Sequence, residues 1–258
     1  MDAPKARRAE GVMLMLGHTA EQVTFKMPGP MRDWQIKCVC GGGKATCNNG
    51  WMRELDEKVE AVAARLMRLP PEEDRPFRVS EDDQKIIATW AIMKVMVVHH
   101  NIVHHTQRKQ MLAKIEPPDG WGVWIGYYKR GGKWNGEWLP RPFSVLPDEI
   151  LAQRRSKIEK ANSLATTIVF QNLFFHVAYC RDRRFVTKWR FSGNIAGGPI
   201  RGNLYRIWPP LGHSIVWPGK VLTDQDAAVI SDAILNGVMT VARRLGLVPA
   251  TPPPVTHL

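Results

Sequence analysis

The sequence predicts an α+β protein: a small cysteine-turn and helix module, then a larger domain in which helices flank an antiparallel sheet. Three observations lead there. Two segments carry apolar residues at alternating three- and four-residue steps, the period of a half-buried helix. Several later segments are rich in β-branched and aromatic residues and are bounded by turn residues. Three of the four cysteines fall within ten residues, on a Gly-rich turn that runs into the first helix.

Residues 1–36 show no strong periodicity, and Met27-Pro28-Gly29-Pro30 is a turn. Gln35 to Val39 reads as a short strand leading into Cys38-Val39-Cys40-Gly41-Gly42-Gly43-Lys44-Ala45-Thr46-Cys47. Asn48 or Asn49 then caps a helix that places Met52, Leu55, Val59, Val62 and Leu66 on one face, and Pro70 and Pro71 end it. An acidic, proline-containing linker runs from Pro70 to Pro76. The module therefore spans residues 1–70 and the larger domain residues 77–248, with a disordered Pro-rich tail at 249–258.

The second region opens on a capping box, Ser80 with Asp83, and a helix burying Ile86, Ile87, Trp90, Met93 and Val97. Trp121 to Lys129 has β character. Arg130-Gly131-Gly132-Lys133 is a turn, and Trp134 to Val145 is the next strand. A charged helix over Asp148 to Lys160 faces solvent. Thr166 to Cys180 forms one long strand or two short ones, and Phe185 to Phe191 and Leu204 to Trp208 follow as strands. A helix from Thr223 to Leu245, capped by Thr223 with Asp226, closes the domain.

Composition fits an ordinary soluble protein of 258 residues with 44% hydrophobic content. The formal net charge of +12 points to a polyanionic partner, nucleic acid before membrane surface. Three clustered cysteines in a chain this long are not a disulfide framework. Cys180, alone in a hydrophobic segment, reads as a buried thiol. Val12 to Leu16 is too short for a signal-peptide core, and Ile86 to Val98, with Lys94, is too short and polar to span a bilayer. The expected location is the cytoplasm, with no membrane partner.

The cysteine turn is either a working metal module or the remains of one. Zn²⁺ takes about four ligands in tetrahedral array. Cys38, Cys40 and Cys47 offer at most three thiolates, and Asn48 is a weak donor. A second candidate is the histidine cluster His99, His100, His104 and His105, where His100 and His104 stand one helical turn apart. Asn101 occupies the place where a zinc-protease helix carries its glutamate, and imidazoles near a helix C-terminus are also favourable with the dipole.

Cys47-Asn48-Asn49-Gly50-Trp51-Met52, followed by a helix containing Leu55, resembles the second cysteine knuckle of HNH endonucleases of bacteria and phages. Weaker similarity extends to Ala88-Thr89-Trp90-Ala91, Val123-Trp124-Ile125-Gly126, Arg206-Ile207-Trp208-Pro209 and Trp217-Pro218. The likeness touches most of the chain, but only the first run is specific. It implies a nucleic-acid-associated protein with a structural zinc knuckle, and metal-dependent DNA cleavage if the site is intact. That chemistry needs a histidine to activate water and a divalent metal such as Mg²⁺ to hold the scissile phosphate. Asn48 falls where the family's helix places a metal-binding His or Asn. His18 is the sole upstream histidine and does not match the motif. The upstream Cys-x-x-Cys pair is missing, and Cys40 and Cys47 are seven residues apart where the family has three. The resemblance thus implies a member whose catalytic half is lost or encoded before Met1. The alternative is a non-catalytic binding or structural protein whose cysteine turn only staples the first helix.

For nucleic-acid contact the candidates are the turn cations Lys129, Arg130 and Lys133 and the cluster Arg181, Arg183, Arg184 and Lys188. The interleaved Trp121, Trp124, Tyr127, Tyr128, Trp134 and Trp138 form either a base-stacking platform or, more simply, the core beneath a sheet.

Overall fold

A computed structural model describes residues 8–14, 20–26, 50–68, 76–99, 103, 105–143, 163–180, 186, 194–195, 198–199 and 203–231. The protein is α+β, with helices against a mostly antiparallel sheet. Strands β1 (Arg8–Leu14) and β2 (Ala20–Lys26) pair antiparallel, Arg8 opposite Lys26 and Leu14 opposite Ala20. This pair corrects the expectation of an irregular start. Arg8–Leu14 has no apolar alternation, so strand pairing there leaves no periodic trace in the sequence.

Helix α1 (Trp51–Arg68) buries Met52, Leu55, Val59, Val62 and Leu66, the face that the spacing predicts. It packs on α2 (Glu81–Val98), and both share one apolar core with the sheet. Polar bonds fix the helix pair. Trp90 Nε1 donates to Asp56 Oδ1 at 2.7 Å, Lys94 Nζ lies 2.9 Å from the same carboxylate, and Arg65 meets Asp83 at 2.5 Å. At the far end of α1, the fully buried Trp217 donates from Nε1 to the Leu66 carbonyl at 3.1 Å.

Ser80 Oγ accepts the Asp83 N–H at 3.1 Å, so the cap forms, but the Asp83 carboxylate turns to Arg65 and the box is half closed. Burial in α2 exceeds the predicted stripe. Ala88, Ala91, Ile92, Val95 and Met96 join Ile87 and Met93 inside, whereas Ile86, Trp90 and Val97 are only partly buried. A helix apolar on most sides belongs between two layers, here α1 and the sheet.

The sheet has strand order β10-β4-β7-β6-β5. These strands are β4 (Trp121–Tyr128), β5 (Trp138–Phe143), β6 (Ser163–Phe170), β7 (Leu173–Cys180) and β10 (Tyr205–Trp208). The Thr166–Cys180 stretch is therefore two strands, reversing at Gln171-Asn172, where Gln171 takes a positive φ of 53°. β5 starts at Trp138, not at Trp134, because residues 134–136 belong to a turn closed by Glu137 N–H to Trp134 O at 2.9 Å. The outer edge of β4 is shared. β10 pairs antiparallel with Val123–Ile125, and β12 (Val221–Leu222) pairs parallel with Tyr127 and Tyr128.

Small pairs complete the pattern: β3 (Phe77–Val79) with β11 (Ile215–Trp217), and β8 (Asn194–Ile195) with β9 (Gly198–Pro199). Two helices remain. One is α3 (His105–Lys114), which the sequence reading did not anticipate. The other, α4, is described over residues 224–231. Its cap is the predicted reciprocal box, with Thr223 N–H to Asp226 Oδ2 at 2.8 Å and Asp226 N–H to Thr223 Oγ1 at 3.2 Å. The Asp148–Lys160 helix, the Gln35–Val39 strand, the end of the Leu245 helix and the tail lie outside the described residues. Of the predicted Phe185–Phe191 strand only Val186 is described, and it is helical.

Candidate nucleic-acid interface

Every residue of β4 and β7 is buried, so both faces of the sheet are covered along these strands. Trp121, Val123, Ile125 and Tyr127 belong to the core shared with α1 and α2. Gly122, Trp124, Gly126 and Tyr128 face the other way, as strand alternation requires. The aromatic residues of β4 are thus core, and none of them offers an open stacking platform. Gly122 is needed for this packing. A Cβ there would stand 2.7 Å from both the Trp124 ring and Val186.

The turn after β4 is built around a carboxylate almost a hundred residues away in sequence. Asp224, at the start of α4, accepts hydrogen bonds from the Tyr128 hydroxyl and, at 2.9 Å, from the Lys133 N–H. Lys129 Nζ lies 2.6 Å from its other oxygen. The Tyr128 hydroxyl in turn accepts the Trp134 N–H at 3.0 Å, and Gly132 leaves the space that this hydroxyl fills. The Lys129 hydrogen bond, with that of Tyr128, holds the Asp224 carboxyl down to about 2. Burial, helped by the anionic acceptor, pushes the Tyr128 phenol up to about 12.

This geometry sorts the three turn cations. Lys129 is tied to Asp224 and is a weak phosphate ligand, because a phosphate would have to displace a charge-assisted bond. Arg130 and Lys133 are exposed, and neither side chain meets a carboxylate among the described residues. Arg181, Arg183, Arg184 and Lys188 lie outside the described residues. The chain leaves for them at Cys180, whose N–H donates to Gly120 O at 2.9 Å.

His18, Cys38, Cys40, Cys47 and Asn48 also lie outside the described residues. Cys38, Cys40 and Cys47 by themselves are one ligand short of a tetrahedral zinc site, and an asparagine does not make up the deficit. Among the described residues, no three His, Cys, Asp or Glu side chains gather as a metal cluster. His99 is buried and its Nε2 accepts the Trp138 Nε1–H at 3.0 Å, which occupies one of its two ring nitrogens. His100 and His104 are outside the described residues, and His105 opens α3. Cys180 is buried, as its surroundings predict, with Ser163 Oγ 3.4 Å from its sulfur.

Sequence reading missed a further set of cations. Arg108, Lys109 and Lys114 stand on α3, a helix with no acidic residue. The signal that marks them is the run Gln107 to Lys114, which is rich in cations and lacks carboxylates. Among the described residues no helix is long and apolar enough to cross a membrane. No protein-family model, characterised protein or solved structure matches the chain.

Proposed function

We propose that this chain is a nucleic-acid-associated protein, resembling HNH endonucleases, that binds a polyanion without cutting it. The observation that carries the reading is the net charge of +12, combined with Arg130 and Lys133 exposed on a turn whose organising carboxylate is already held by Lys129. The Cys47 to Met52 run supplies the resemblance. Strand scission would need an imidazole beside the attacking water and a metal on the phosphate. His18, the candidate base, matches no HNH motif, so the expected behaviour is binding without nicking. Plasmid incubated with the protein and Mg²⁺ or Mn²⁺ stays supercoiled on this reading.

The binding itself is tested by fluorescence anisotropy with a labelled mixed-sequence DNA duplex over a salt series. Each neutralised phosphate releases counterion, so log K falls linearly with log salt, with a slope of about −0.9 per contact. Arg130→Glu with Lys133→Glu weakens binding to all sequences alike. Absence of binding at low ionic strength, or binding indifferent to salt, removes this reading. It would leave the structural alternative, in which the cysteine turn staples α1.

A further inference from the structure

The inner side of helix α3 fastens it to the protein. Gln107 Oε1 accepts the Trp121 Nε1–H at 3.0 Å, and Met111, one turn on, is buried. The opposite side is open. Lys109, Ala113 and Lys114 are exposed, Arg108 is half-buried, and Leu112 and Ile115 are 51% and 41% exposed. Leu112 stands one turn after Arg108 and Lys109, and Ile115 directly follows the last helical residue, Lys114. The nearest following acid, Glu116, is already bound by Lys85 at 2.5 Å.

Ile115 carries the argument. Its N–H donates to Met111 O at 2.7 Å and its φ is 52°, the left-handed helix cap in which glycine is the natural occupant. A β-branched side chain at positive φ is strained. Exposed apolar surface gains nothing from burial either. A residue unfavourable on both counts within its own chain is explained by a contact outside it.

We infer that the outer face of α3 is a second nucleic-acid contact. Arg108, Lys109 and Lys114 take phosphates, and Leu112 and Ile115 pack as an apolar wedge against the bases. Charge favours this occupant, since the helix holds three Lys or Arg and no acid. Apolar wedges flanked by cations are a known way to enter a duplex groove. The inference rests on the nucleic-acid reading above and adds a surface distinct from the Arg130 turn.

The test uses the full chain, the same labelled duplex, and three variants: Leu112→Ala, Ile115→Gly and the pair Lys109→Glu with Lys114→Glu. Leu112→Ala and Ile115→Gly each weaken binding about tenfold, the equivalent of losing part of a buried aliphatic side chain. The lysine pair weakens it further and flattens the salt slope by about 2. Ile115→Gly also raises Tm, because the strain is gone. A lower Tm in Ile115→Gly makes Ile115 a packing partner of Met111 and overturns the inference. So does unchanged affinity in all three variants while wild type binds, which leaves the nucleic-acid reading standing. Wild type that does not bind the duplex overturns both. Loss of binding to phosphatidylserine vesicles with duplex affinity intact assigns the face to a membrane surface and also overturns it.

Discussion

The two faces of the central sheet are equally buried and built on different principles. On the face toward the helices, Val123, Ile125, Phe175 and Val177 meet α2 as apolar packing. On the other face, polar groups sit inside. Cross-strand registry lines up Arg206, Trp124, His176 and Thr167. Thr167 Oγ1 is 3.1 Å from His176 Nδ1, the Trp124 and His176 rings lie 6.0 Å apart, and the Arg206 guanidinium sits 5.9 Å from the Trp124 ring. Small residues, Gly122 and Ala178, sit beside the large rings. One face therefore depends on volume alone, and the other on volume together with protonation state.

That contrast is open to direct attack. The largest effect belongs to the helix-side face: Phe175→Ala, which also removes the Trp90 ring contact at 5.8 Å, costs about 3–5 kcal/mol in urea unfolding. That loss changes little between pH 5 and pH 8, because no ionising group is removed. A loss below about 1 kcal/mol would show that this face is plastic.

The next effect is on the opposite face and depends on pH. Burial holds the His176 imidazole down to about 3, so the folded protein keeps it neutral while the unfolded chain binds a proton below about 6.5. Its contribution is complete above the unfolded value and is lost progressively as pH falls toward the folded one. The urea midpoint of wild type therefore declines from about pH 6.5 downward. In His176→Gln that limb flattens until carboxylates begin to titrate near pH 4. An unchanged acid limb in the variant would take His176 out of the account.

The smallest effect is at the end of the same face, where Tyr128 meets Asp224. The carboxyl is depressed to about 2, so its share of stability is present above its unfolded value and lost as pH falls through the folded one. The phenol is raised to about 12, so its share is present below about pH 10 and lost as pH rises toward the folded value. Asp224→Asn lowers the urea midpoint slightly at neutral pH and flattens its fall between about pH 4 and pH 2. It also frees Lys129, so duplex affinity rises modestly.

What the sequence disclosed follows from how these parts are held. α1 is legible because one side of it faces solvent, which leaves Met52 to Leu66 in helical step. Both helix caps are legible because they are local. β4 and β7 are recognisable by composition, but their two buried faces erase the alternation that would tell which residues look toward the helices. α3 hides because its apolar residues, Met111, Leu112 and Ala113, are adjacent in sequence rather than spaced, and β3 is only three residues long. Among the turn cations, the ion pair of Lys129 depends on Asp224, which no local pattern connects to it.

Strand β4 also sets a schedule for the ribosome. Its eight residues, Trp-Gly-Val-Trp-Ile-Gly-Tyr-Tyr, end buried on every side, yet each of its partners is synthesised later. β7 supplies the inner edge beginning 45 residues after Tyr128, and β12 completes the outer edge at Val221–Leu222. At about 5–20 residues per second, roughly 5–20 s pass between emergence of the strand and its full pairing. During that interval the nascent chain presents an aromatic segment without any charge, the kind that holdase chaperones grip and that aggregates when they are scarce. Pausing of translation after β4 has emerged and before β7 has would lengthen that exposure.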